Sequence, residues 1–234
     1  MGAQKEAAPT ASPDADRLER LLADRYSCRR FLGDPVPQPT IRRILDIARR
    51  TPSSNNAQPW QVVITNGAGT ERFRRGFHEA ASNDPPASDF PLPDYQGAHR
   101  DRRRECGLRL YESVGIDRED KAAAQRQMLE NFNLYGAPHA MIVHMDPGMG
   151  ASGILDCGAF AHTFVLAARA LGVDSIAQNA FWIPAPFIRR HFGLPEHHLI
   201  VTGVSFGYAD REHPINGFRT TRAAIDELVR WIDD

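Results

Sequence analysis

A chain of 234 residues, 42% apolar and 24% charged, can bury one full core, and its net charge of −1 sets up no field toward nucleic acid or an anionic membrane. Its three cysteines, Cys28, Cys106 and Cys157, form no C-x-x-C pair, which argues against a disulfide framework or thiolate zinc centre and for a reducing, cytoplasmic setting. No apolar run approaches the roughly 20 residues of a membrane span.

Residues 1–16 lack a signal peptide's apolar core and read as a disordered leader, with a single domain over 17–234. Glu6 replaces the Ser or Thr that a myristoylated Met-Gly terminus needs. Asp16–Asp24 places Leu18, Leu21 and Leu22 on one helical face, with Asp16 as its N-cap. Arg25–Phe31 (RYSCRRF) follows, holding three arginines and a serine, and then a proline-rich turn. Thr40–Arg50 is a second helix capped by Thr40, with Ile41, Ile44, Leu45 and Ala48 on one face. Thr51–Trp60 (TPSSNNAQPW) then presents Ser, Ser, Asn, Asn and Gln between Pro52 and Pro59. Such a set suits an uncharged planar polar ligand better than a phosphate or a metal; the plain alternative is a polar loop that ends a helix. Gln61–Thr65 reads as a buried strand.

Asn66–Gly69 is a turn, Glu71–Ala81 a short helix, and Ser82–Pro93 an irregular proline-rich stretch of a length that is often functional. Arg100–Ser113 and Arg118–Tyr135 read as helices, the second capped by Asp117. Ala137–Met145 and Leu199–Tyr208 are strands, the latter with Gly203 and Gly207 inside it. Ile154–Leu171 is the most apolar helical pattern and belongs in the core or at an interface. Ala185–His191 is a short helix ended by Gly193, and Thr221–Trp231 a closing helix. Strands separated by helical pairs, without a repeat or a linker, indicate a mixed α/β or α+β sheet.

Gly148–Gly153 (GMGASG) formally matches G-x-G-x-x-G, but Asp146-Pro147 interposes a turn and no second apolar strand leads to Asp174. A flexible glycine-rich connection is expected instead. Among the nine histidines, His139 and His144 point to opposite faces of their strand, and His162 has no partner at helical spacing. The adjacent pair His197-His198 is read with them as structural, so metal ligation is not expected. No G-x-S-x-G supports a serine hydrolase. The run Arg100, Arg102, Arg103, Arg104 and Arg109 is either a solvated helix face or an attractor for an anionic substrate or a phosphorylated electron donor.

Two segments together resemble the FMN-dependent nitroreductase family: R-x-S-x-R-x-F at Arg25, Ser27, Arg29 and Phe31, and P-S-S-x-N-x-Q-P-W at Pro52, Ser53, Ser54, Asn56, Gln58, Pro59 and Trp60. The likeness runs from about residue 17 to the end. The arginine-rich segment with LRLYESVGIDRED is most similar to the para-nitrobenzoate-reducing branch. The resemblance implies an α+β fold, with a mixed, mostly antiparallel sheet flanked by helices, in an entwined homodimer with an FMN site at each interface. It implies that Arg25, Ser27 and Arg222 hold the flavin phosphate and ribityl chain. Arg29 would approach the N1/O2 edge of the ring, and Pro52, Ser53, Ser54 and Asn56 would reach the flavin of the other subunit. Asn131 before the A-P dipeptide, Ala177, Gln178 and Asn179 after the apolar helix, and Arg219 beside Arg222 match looser family positions. Tyr26 joins this set but departs from it, standing where a basic residue is common. An excursion over 78–115 would cover the active site. The implied activity is a two-electron ping-pong transfer from NADPH or NADH through flavin N5 to a nitroaromatic acceptor, with no catalytic side chain. A flavin-dependent dehydrogenase or dehalogenase-like enzyme of the same fold, or a flavin-storing or ligand-binding protein without turnover, are the alternatives. Two arginines of differing reach suit the flavin's two anionic ends, the phosphate and the reduced ring.

Overall fold

Strand His139–Met145 is buried along its whole length, because helices cover both faces of the sheet it crosses. The computed structural model describes residues 12–232. Strands β1 (Gln61–Ile64), β2 (His139–Met145), β3 (Asp174–Gln178) and β4 (Leu199–Gly207) lie in the order β1-β2-β4-β3, every neighbouring pair antiparallel. The parallel component is a lone bridge between Ser27 and Ser175.

Side-chain alternation sorts β2 between two apolar layers. Met141, Val143 and Met145 pack with Ile41 and Ile44 of helix α2 (Gln38–Ala48) and with Phe160 and Phe164 of helix α6 (Gly150–Ala170). Ala140 and Ile142 pack on the other face, with Phe73 and Phe77 of helix α3 (Ala68–Asn83) and Ile188 of helix α7 (Ala185–Phe192). Phe181 joins that layer by lying against the backbone of Gly203, where any β-carbon would collide with its ring. The glycine inside β4 is a packing requirement.

The sequence-based boundaries shift in several places. Helix α1 is Pro13–Asp24, so Pro13–Asp16, assigned to the leader, is helical and Asp16 is not its cap; the proline sits in the first turn, where its missing N–H costs nothing. The rest of the leader reading, 1–11, lies outside the described residues. Helix α2 starts at Gln38 rather than at a Thr40 cap, and α3 outruns Glu71–Ala81. Helix α4 is Gly97–Ser113. The helix expected over Arg118–Tyr135 is only α5 (Lys121–Leu129), capped by Asp120, whose carboxylate accepts the Ala123 N–H at 2.8 Å, and not by Asp117. Leu134 and Tyr135 have positive φ, which ends any helix there. The closing helix shrinks to α8 (Ile225–Leu228).

The glycine-rich stretch is no flexible connection. Asp146 caps a 3-10 turn over Pro147–Met149, and α6 begins at Gly150. Turn and helix together, Pro147–Ala170, are long and apolar enough to cross a membrane by length and composition, which corrects the expectation that no run approaches that length. Here the helix lies against α2 and strands β2, β3 and β4.

Strand β3 was not expected. It is short and opens on an aspartate that is buried yet satisfied: Asp174 accepts from Arg169 at 3.1 Å, from the Ala209 N–H at 3.2 Å and from Arg211 at 3.4 Å.

Candidate active site

The segment Arg25–Phe31 runs extended beside the outer edge of β3. The Cys28 N–H donates to the Ser175 carbonyl at 3.1 Å, the Phe31 N–H to Tyr135 at 3.2 Å, and the Leu32 N–H to Tyr208 at 2.8 Å. Extended backbone sends alternate side chains to opposite sides. Tyr26 and Cys28 therefore turn into the core, while Arg25, Ser27 and Arg29 share the half-buried outer face. Burial pushes the Tyr26 phenol and the Cys28 thiol each up to about 12, so neither is charged at neutral pH.

The chain returns to this face at residues 216–222. Asn216 locks the return: its amide oxygen accepts the Arg29 N–H at 2.8 Å, and its amide nitrogen donates to the carbonyls of Arg30 and Asp210, both at 2.8 Å. The Arg219 guanidinium lies 4.0 Å from the Tyr26 ring centre and donates to the Asn216 and Phe218 carbonyls, each at 2.8 Å. Arg29 sits 5.2 Å from the Phe218 ring centre. A pocket of about 270 Å³ results, lined by Arg25, Ser27, Arg29, Arg219 and Arg222. Burial first, then the charges of Arg222 and Arg219, hold the Arg25 pKa below its usual value. Among the described residues, no carboxylate forms an ion pair with Arg25, Arg219 or Arg222. Unbalanced charge on converging donors fits an oxyanion such as a phosphate.

A larger cavity of about 1030 Å³ shares Arg25, Ser27 and Arg222 and adds Ala177, Ser175 and His162. Gln178 is buried and joined to Asn131, donating to its carbonyl at 2.9 Å and accepting from Ser205. Asn179 is exposed at the start of a 3-10 turn. A third cavity of about 780 Å³ lies between α4 and the tail and again includes Arg222.

Pro52, Ser53, Ser54 and Asn56 line none of the pockets that contain Arg25. Their loop is largely exposed and shapes itself: Asn55, Asn56 and Gln58 have φ near +50° to +60°, and the Gln58 N–H donates to the Ser53 hydroxyl at 2.9 Å. The Ser54 N–H ties the loop to α6 through Asp156 at 3.0 Å, and Trp60 stacks on Phe160 with ring centres 5.0 Å apart.

Several arginines of α4 find local partners. Arg102 meets Glu227 at 3.1 Å, Arg109 meets Glu105 at 2.9 Å and the Arg219 carbonyl at 3.3 Å, and Arg103 lies over Tyr95. Sequence reasoning singled out Arg219 and Arg222 but missed Asn216, whose role shows only in its bonds to distant backbone. It also missed Phe218, Ser175 and His162 as site-lining residues. Nor did the sequence bring Asp146 beside His197 and His198, as the fold does.

The nitroreductase family model matches residues 22–208. The nitroreductase NfnB of Mycolicibacterium smegmatis is 34% identical over 219 residues, covering 93% of either chain. A 4-nitrobenzoate reductase of Nocardioides is 31% identical over 233 residues, covering 96% of this chain and 94% of its own. Among solved structures, the FMN-dependent nitroreductase NfnB from Mycobacterium smegmatis in complex with NADPH superimposes with a TM-score of 0.88, at 34% identity, over 93% of this chain and 99% of that one. The matched span takes in the Arg25 segment, the serine loop and all four strands, and on that ground the chain belongs to the nitroreductase family.

Proposed function

We propose that the chain is a homodimeric oxidoreductase that binds FMN, draws electrons from NADPH or NADH and reduces nitroaromatic compounds. The carrying observation is the pocket where Arg25, Arg219 and Arg222 converge with no carboxylate among the described residues to balance them. A phosphate monoester supplies the missing charge. FMN, when bound, supplies the two-electron redox chemistry, and the chain supplies binding, orientation and field. Arg25, Ser27 and Arg222 hold the phosphate end. Arg29, whose backbone is pinned by Asn216, directs positive charge toward the N1/O2 edge of the ring, and Arg219 is held on Tyr26 to support the same wall. Ala177, Gln178 and Asn179, braced by Asn131, line the ring's side of the site. Nitroaromatic reduction is the activity carried by the names of the relatives.

The serine loop completes a second subunit's site. Pro52, Ser53, Ser54 and Asn56 face outward from their own chain, and apolar side chains on the same subunit lack cover: Leu155 on α6 is 75% exposed and Trp231 in the tail 68%. Such surface belongs between subunits. The excursion over 78–115 covers the site from the tail side, since Arg109 of α4 reaches the Arg219 carbonyl and Arg102 reaches Glu227 in the helix that follows. The three free cysteines accord with a cytoplasmic setting.

Anaerobic NADPH should bleach the flavin absorbance of the purified protein, and a nitroarene should restore it. A yellow protein that no nicotinamide bleaches would leave a flavin-storing role instead.

A further inference from the structure

The far end of the sheet carries a second constellation of ligating groups. Asp146 follows β2 and His198 precedes β4, and one step beyond the Met145–Leu199 pair the ladder sets these two residues opposite each other. His197 stands next to them. One carboxylate oxygen and one nitrogen from each imidazole lie within 4.8 Å of one another. The Asp146 and His197 atoms are 3.5 Å apart, close to the edge of about 3.4 Å expected of a tetrahedron with zinc-length bonds of about 2.0–2.1 Å.

Two of the three ligands, Asp146 and His198, are held in place. The other Asp146 oxygen accepts the Gly148 N–H at 2.7 Å. His198 is buried, its Nδ1 lies 2.9 Å from Nδ1 of buried His144, and its carbonyl accepts from Arg189 at 3.0 Å. Arg189 is neutralised by Asp89, so its charge does not oppose a cation nearby. A metal-ligating imidazole uses a hydrogen bond at its other ring nitrogen to fix its orientation, and His144 engages Nδ1 of His198 in this way.

The geometry points to a binding site for one divalent cation of the zinc class, formed by Asp146, His197 and His198, with a fourth position open to water. Two imidazoles and one carboxylate favour zinc, nickel or copper over magnesium or calcium, which take oxygen shells. The ion staples the turn before α6 to the turn before β4. Seven residues of β4 separate this end from the Ser175–Phe206 pair beside the arginine pocket, about 23 Å at strand rise. It therefore acts on stability and takes no part in electron transfer.

Tag-free, chelator-stripped protein titrated calorimetrically with Zn²⁺ should bind one ion per chain with a Kd of about 10 μM or tighter. Zinc at a hundredfold excess over Kd should raise Tm by about 5–10 °C. Asp146→Ala and His197→Ala, both at exposed positions, should each weaken binding at least tenfold and leave flavin content unchanged, which keeps this test separate from that of the arginine pocket. Millimolar Mg²⁺ should not compete. Absence of saturable zinc binding, which would reduce the cluster to a surface carboxylate–imidazole pair, overturns the assignment. So does stoichiometric binding that survives the double substitution.

Discussion

The arginine segment and the serine loop are both polar motifs between helix and strand, but they are built in opposite ways. Arg25–Phe31 is bonded into its own subunit through Ser175, Tyr135 and Asn216, and its half-buried outer side chains converge on one pocket. Thr51–Trp60 is tied down mainly at its ends and through Ser54, keeps its shape by left-handed backbone, and turns its side chains outward. The difference is what the proposed function asks for, one motif making a site within its own chain and the other reaching a partner's.

The largest expected effect would break that contrast at the subunit boundary. Leu155→Arg puts an unpaired charge where a partner should close, at a cost of about 3–5 kcal/mol if the position is dry in the dimer. Sedimentation should then show a monomer that has lost most of its flavin; a monomer that keeps it would mean that both motifs serve one chain. Arg25→Ala comes next. Removing one charge-assisted contact costs about 1.5–3 kcal/mol, a weakening of FMN binding on the order of ten- to a hundredfold. Unchanged flavin absorbance per protein would detach Arg25 from the phosphate.

A smaller effect tests the loop's own shape. Gln58 has φ 49°, so a β-branched Gln58→Val should cost about 1–2 kcal/mol and lower Tm by about 2–8 °C, while Gln58→Gly should not. Equal melting of the two variants would remove the strained backbone from the account. The smallest effect concerns the arginines of α4. Arg103, stacked on Tyr95, is left without a carboxylate among the described residues, and an exposed ion pair with a carboxylated acceptor is worth up to about 1 kcal/mol. kcat/KM for 4-nitrobenzoate should exceed that for nitrobenzene by up to about fivefold at low salt, and the margin should fade as salt rises. No margin at low salt would make this run a solvated helix face.

The contrast was half legible in the sequence. Both motifs could be read off, and so could the helices whose apolar stripes face the sheet, since the period of Ile41, Ile44 and Ala48 is set by burial. What could not be read depended on contacts far along the chain. The edge strand β3 opens on a polar residue that nearby Arg169 and two distant donors, the Ala209 N–H and Arg211, make tolerable in the core. Asn216 looks like a turn residue until its bonds to Arg29 and Arg30 are known. The tail Thr221–Trp231 reads as a helix, yet in one chain Ile225, Leu228 and Trp231 stay largely exposed, and only four residues coil.

The single parallel bridge at Ser27 has a further consequence. An edge strand leaves a row of backbone donors and acceptors open to any passing chain, and proteins must blunt such templates to stay dispersed. On β3 that task falls to the segment that carries Arg25, Ser27 and Arg29. The motif proposed to hold the cofactor is thus also the guard of the sheet's outer edge. Lesions that loosen it should reveal themselves first as turbidity in concentrated samples, before any assay of turnover is made.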